Sequence, residues 1–544
     1  MSLFRRFVVL LFISIQLIAF QNCSSGFQTQ TRILSDSSSN SGLSDPAMTP
    51  DSSSTATDTK LVDACLPSNK GVDYQVGSGA NQLATLDLVP WGSLKAGDTV
   101  RIFYSSTPYR GHILLAAQGT ANAPVRVCGV KGPNGERPII SGQNAVVRRG
   151  LVYAGDLQET RAIVLIDRLG SQDWGTAFPT YIQVDGLDIR QATASYSFTN
   201  SKGVTSTYSS FGACIWIERG ANITLADNIV SDCTNGIFSR SVEIGAGIAT
   251  ITRDIRVAGN YIYNNGVDGY EHNLYMQSLR ITYEFNRIGP SRNGGAALKD
   301  RSVGAIIRYN YIQDGSRALD LVEPEDWTET AAANYPALAD TFVYGNVINK
   351  NGDLGSFIHY GGDHPGSEAN FRPGKLYFYN NTIYATGSTG DYDGAMIFQL
   401  STTKQVAEIW NNVITSPQRV RIGLRATQEV DAGWTAGGDT RLGKNYIKDI
   451  WSTVGYTYSY ATNPGPISGV ANIISSAAVL LDTTSFVPDA GSVLIDGSTA
   501  NLDAVSAHPV LYQPVTSFTE ARPTFGPIVR KVSGSAMDLG AIER

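Results

Sequence analysis

Eight asparagines, Asn228, Asn260, Asn286, Asn310, Asn346, Asn381, Asn412 and Asn445, recur at intervals of 32, 26, 24, 36, 35, 31 and 33 residues. Each ends a short apolar run and is followed shortly by Ile, then by a polar bend with Gly and a second apolar run. Intervals of this size with strand-like content build a solenoid whose rungs stack into parallel sheets. A chain of alternating strands and helices is excluded, because no ten-residue window between the runs carries a helical apolar stripe. Asn suits the bends, since it tolerates left-handed backbone and its stacked side chains satisfy one another and the buried backbone. The unequal intervals place insertions in some turns, most visibly at Pro324–Asp340 and Gly361–Gly374.

The composition agrees with a long β structure. Only 17% of the residues are charged and 55 are Gly, as many turns and few exposed helices require. The net charge of -6 and the lack of a basic block exclude nucleic acid as a partner.

Along the chain, residues 1–22 read as an export signal, with Arg5 and Arg6 before an apolar run from Phe7 to Phe20. Residues 23–60 read as a disordered polar tether. Residues 61–150 are expected to form an N-terminal cap and first coils, 151–478 the coils, and 479–544 a C-terminal cap over an open sheet edge. Cys65, Cys128, Cys214 and Cys233 permit two disulfides in three connectivities. Cys65 with Cys128 would staple the start of the fold, and Cys214 with Cys233 would bridge adjacent turns. No Cys/His spacing suggests zinc.

Three of the second apolar runs, NLYMQ, AALKDR and ALDLVE, carry polar residues at unexpected places. Strand parity puts Leu274, Leu298 and Leu319 inside and Tyr275, Lys299, Arg301 and Asp320 outside. In SFIHYGG, His359 continues the row one rung further. Stacked rungs lie about 4.8 Å apart, so these side chains form one outer wall. As solvent-facing strand residues they are expected to be dispensable for stability. The two insertions bring Trp327, Tyr335, Asp363, His364 and Arg372 near these rungs, and Arg317 lies beside Asp320. Aromatic faces and guanidinium groups are what a groove for acidic sugars needs.

This pattern supports β-elimination on a uronic-acid polysaccharide. Arg301 neutralises the sugar carboxylate, Lys299 or His359 takes the adjacent proton and Tyr275 returns one. Asp320 orients the Lys or His, or shares a Ca²⁺ with Glu323 or Asp363; no cofactor is otherwise required. His272, of inward parity at a bend, reads as a turn or core residue, and Asp300 as a bonder of backbone amides. Asp320 with Asp300 or Glu323 could alternatively be the carboxylate pair of a glycoside hydrolase. A further alternative is a non-catalytic surface protein that binds glycan, with the polar side chains splayed into solvent.

Two resemblances sharpen these expectations. The stretch from Gly92 to Gly142, with its GDTV strand, YRG turn and GTANAP loop, resembles the opening of exported right-handed parallel β-helix proteins of the pectate lyase-like superfamily; the closing DLGAIER is similar to their last motif. This implies an all-β, single-stranded, right-handed parallel β-helix solenoid with N- and C-terminal caps. Lys299, Arg301-Ser302, Asn310-Tyr311-Ile312 and Gly315-Ser316 before Leu319 resemble polysaccharide lyases of the alginate lyase and chondroitinase B type, which implies Lys299 as a catalytic residue. The chain departs from them at Asp320 and Val322, where the family's Arg would fall, and at Gly294–Ala297, where its Ca²⁺ ligands would. The signal, Cys23 and tether resemble a bacterial lipoprotein, although Gln21 and Asn22 stand where small residues are usual. That implies lipid attachment at Cys23 in the cell envelope, outer membrane or surface, as the protein's one link to a membrane. The alternative is a secreted or periplasmic protein.

Overall fold

The computed structural model describes residues 61–241, 251–325, 335–387, 394–417, 420–425, 436–455, 464–518 and 525–544. The signal, the tether and Cys23 therefore lie outside the described residues, as does Trp327. Among the described residues no helix is long and apolar enough to cross a membrane.

The chain winds through three sheets in turn, of thirteen, fourteen and eleven strands. One coil comprises Leu279–Glu284, Arg287–Ile288 and Leu298–Asp300, and the next Val303–Arg308, Tyr311–Gln313 and Leu319–Leu321. Corresponding strands of successive coils pair in parallel, so the fold is the expected parallel β-helix. Inward side chains stack into one core that includes Leu274, Leu298, Leu319 and Ile358.

The Asn residues form a continuous buried ladder between the first and second sheets. Asn310 Nδ2 donates to Asn346 Oδ1 at 2.9 Å and to the carbonyls of Tyr283 and Arg308, each at 2.9 Å. Its Oδ1 accepts from the backbone and side chain of Asn286. The same bonds recur from Asn228 to Asn445. The left-handed conformation, however, falls on the residue before each Asn from Asn228 to Asn412: Asp227, Gly259, Phe285, Tyr309, Gly345, Asn380 and Asn411 all have φ between 50° and 65°. The Asn takes the bonds while its predecessor takes the bend. At Gly345 a side chain has no room, because a Cβ there would meet the Tyr309 ring at 2.8 Å.

Of the three connectivities left open, the structure forms Cys65–Cys128 and Cys214–Cys233. The described residues of 479–544 pack along the flank of the coils. There Leu481, Phe486, Leu494 and Leu539 pack on Tyr311, Val347, Tyr384, Val413 and Tyr446, which the second sheet presents outward. Val505, Val510 and Tyr512 cover Phe285, Tyr309, Tyr344, Tyr379 and Trp410 beside the ladder.

Candidate active site

The outer row of the third sheet is assembled by register. Tyr275 pairs with Lys299, Lys299 with Asp320, Asp320 with His359, and His359 with Gln399. Upstream the same row is aromatic, with Trp216 stacked on Phe238 at 3.9 Å and Phe238 edge-on to Tyr275. Over this row lie Glu325 and Asp363, which bond Tyr275, Lys299 and Arg301. The row is consequently buried, which corrects the expectation of a solvated wall: the side chains of Lys299 and Arg301 are 4% and 2% exposed.

Two cations and their carboxylates fill the centre. The Asp363 carboxylate bridges the cations, with Oδ2 at 2.5 Å from Lys299 Nζ and Oδ1 at 2.9 Å from Arg301 Nη2. Asp320 lies 3.4 Å from Lys299. Arg301 also meets Glu325 at 2.8 Å and Glu323 at 3.4 Å, and its Nε donates to Tyr275 Oη at 3.1 Å. Tyr275 Oη in turn donates to Glu325 Oε2 at 3.0 Å.

The flanks fix this arrangement. His359 bonds Asp320 through Nδ1 at 2.8 Å and Ser401 Oγ through Nε2 at 2.9 Å, so both ring nitrogens are engaged. Ser401 Oγ donates to the Gly362 carbonyl and accepts from its N–H, which pins the backbone just before Asp363. Glu323 accepts from the N–H groups of Asp363 and His364. Arg317 bonds Asp320 at 3.0 Å and reaches Gln399.

Charge states follow from these contacts. Burial pushes the Asp320 carboxyl up, but Arg317 and Lys299 outweigh it and hold the group well below the usual carboxylate range. Asp363 is likewise held low, burial being outweighed by Arg301 and Lys299. Burial lifts Glu323 to about 7 against the pull of Arg301. Burial, reinforced by Arg317, lowers His359 despite its bond to Asp320.

Several expected site residues lie elsewhere. Arg372 is a buried clamp that bonds the Val322 carbonyl, Thr341 Oγ1 and the Asp300 side chain, leaving no group for a ligand. Tyr335 packs at the edge of a separate apolar cluster with Ile251, Leu279 and Val303. His364 is exposed and bonds Ser367. Asp300 points inward to Tyr283 and Arg372, so it cannot pair with Asp320 across the sheet as a hydrolase dyad. Asp320, Glu323 and Asp363, offered as Ca²⁺ ligands, are each paired with Lys299 or Arg301 instead. Among the described residues no three His, Cys, Asp or Glu side chains are grouped to hold a metal ion. Glu325 and Ser401 went unnoticed in the sequence because one lies in an insertion and the other just past a strand end, where parity gives no direction.

No protein-family model matches the chain, and no curated protein matches it in sequence. Solved structures similar to it include the pectate lyase Pel9A, at 13% identity and TM-score 0.43, over 90% of this chain and 99% of that one. An alginate lyase from Paenibacillus sp. str. FPU-7 matches at 11% and 0.37, over 69% and 94%. A DFA-IIIase from Arthrobacter chlorophenolicus A6, in complex with DFA-III, matches at 11% and 0.38, over 69% and 90%. At such identities and scores the likeness carries no argument about activity. The chemistry has to be read from the side chains.

Proposed function

We propose that the protein is a polysaccharide-active enzyme that cleaves a uronic-acid-containing polymer by β-elimination at the Tyr275–Lys299–Arg301 site. The observation that supports this is the Asp363 carboxylate, shared between Lys299 and Arg301 beside the Tyr275 hydroxyl. A sugar carboxylate that displaces Asp363 meets the same two cations. They draw charge from it and acidify the neighbouring C5–H. Glu325 accepts the Tyr275 proton, and the resulting phenolate is stabilised by Arg301. The phenolate takes the C5 proton, the C5 electron pair forms the C4–C5 double bond, and the C4–O4 bond breaks. Tyr275 then gives the proton to the departing O4. Lys299, held between two carboxylates, serves as a charge and not as a base, and His359 positions Asp320 and the Gly362 turn. The reaction as drawn needs no cofactor.

The test is ultraviolet absorbance of the conjugated double bond on a panel of anionic polysaccharides. New absorbance that is lost in Tyr275→Phe supports the reading; reducing ends without absorbance mean hydrolysis, and binding without cleavage means a glycan-binding protein. The side chains converge on one another instead of splaying outward, which favours an enzyme over a binder. We further propose that the enzyme is exported and lipid-anchored at Cys23. Cys23→Ala is then expected to move it from the membrane fraction to the soluble one.

A further inference from the structure

His272 lies just before the strand Leu274–Met276, and its backbone is fixed on both sides. Its N–H donates to Asn235 Oδ1 at 2.9 Å and its carbonyl accepts from Gly236 at 3.1 Å. The ring stands nearly edge-on to Tyr275, with centroids 5.3 Å apart and planes at 72°. Nδ1 accepts the Ala296 N–H at 2.9 Å, so it carries no proton and the neutral ring bears its hydrogen on Nε2. The residue is 5% exposed, yet Nε2 has no hydrogen-bond partner. Buried donors are nearly always bonded, and an unmade bond is costly, so the exception calls for a reason.

We infer that His272 is a substrate-binding residue of the proposed site, its Nε2–H donating to an oxygen of the sugar that lies against Tyr275. The inference rests on the proposed function and adds a contact to it. The ring lies against Tyr275, whose hydroxyl accepts from Arg301, and so belongs to the same side of the row as the proposed reacting groups. Burial, aided by Lys299, keeps its pKa down at about 3. It therefore neither gives nor takes the reacting proton; it offers a fixed neutral donor. Such a donor bonds a hydroxyl, ring or carboxylate oxygen, and it discriminates against a sugar that lacks one there.

Two substitutions separate this role from a structural one. In His272→Asn the amide oxygen can keep the Ala296 bond while the far donor is lost. In His272→Gln the amide NH₂ can reach the Nε2 position while the Ala296 bond is lost. The expected result is that Asn keeps the melting temperature and loses about tenfold or more in kcat/KM, one hydrogen bond's worth. Gln should melt earlier and retain more of the activity. The reverse order, or an Asn variant as active as the parent on a polymer the parent cleaves, overturns the inference and leaves the proposed function standing. If Asn does not fold, ¹⁵N-histidine spectra of the unaltered protein decide: the Nε2–H signal is expected to shift when a uronate oligosaccharide binds, and an unmoved signal overturns the inference. A parent protein that neither binds nor cleaves any acidic polysaccharide on the panel overturns the proposed function and this contact with it.

Discussion

Lys299 holds two carboxylates, Asp363 and Asp320, away from solvent. Removing the amine leaves both buried and under-compensated, and breaking such a pair costs about 3–5 kcal/mol. Lys299→Ala should therefore lower the denaturant-unfolding free energy by that order, where a solvated strand residue would cost almost nothing. Asp363 competes with any anionic ligand for the same two cations. Asp363→Ala is expected to tighten binding of a uronate oligosaccharide by about tenfold or more, read by calorimetry, because an internal competitor has gone. A third residue, remote from this chemistry, responds to pH. Asp167 is fully buried with Oδ2 unbonded, and burial, helped by Glu218, pushes its carboxyl from 3.8 to about 7. The unfolded chain releases this proton first, so Asp167 contributes stability below pH 3.8 that is lost as pH rises through about 7, at up to ~1.4 kcal/mol per pH unit. Asp167→Asn should match the parent near pH 4 and exceed it in stability at pH 8. Equal unfolding curves at pH 8 would rule this out.

The element that recurs most is the turn with its Asn. Asn310→Ala removes three donated and two accepted bonds from a buried site, each leaving a group unsatisfied at about 1–3 kcal/mol. A loss of several kcal/mol is expected in urea unfolding, far more than for an exposed Asn. This turn was legible in the sequence because its side chain is intrinsically suited to the place, and because the interval repeats. The row Tyr275–Lys299–Asp320–His359 was legible for a similar reason: alternation along a strand and register between strands are set by the backbone. What lies over the row was legible only in part. The inserted segment put Asp363 near the row, but Glu325 and Ser401 reach it from segments without periodicity, and nothing in their spacing says that they fold inward. The same gap misplaced Arg372, whose guanidinium is needed by Asp300 from beneath, and hid the free edge of His272.

At the scale of the whole molecule, the segment 479–544 changes what kind of object the solenoid is. Deleting it would expose the tyrosine-rich flank from Phe285 to Tyr446, an apolar surface of the kind that drives association. The truncated chain is expected to bind a hydrophobic dye and to aggregate, whereas the full chain stays dispersed; light scattering distinguishes the two. In a simple stack each coil touches its neighbours alone, and unfolding can begin at any rung and stop at any other. Here Tyr309 bonds the carbonyl of Pro509, 200 residues away, Tyr379 bonds that of His508, and Ala541 donates to Thr382. Rungs that would otherwise fail one at a time are thus made to fail together. The order of synthesis gives this a direction in time: the segment leaves the ribosome after every coil it covers, so the coils wait with their flank bare until the chain returns to close it.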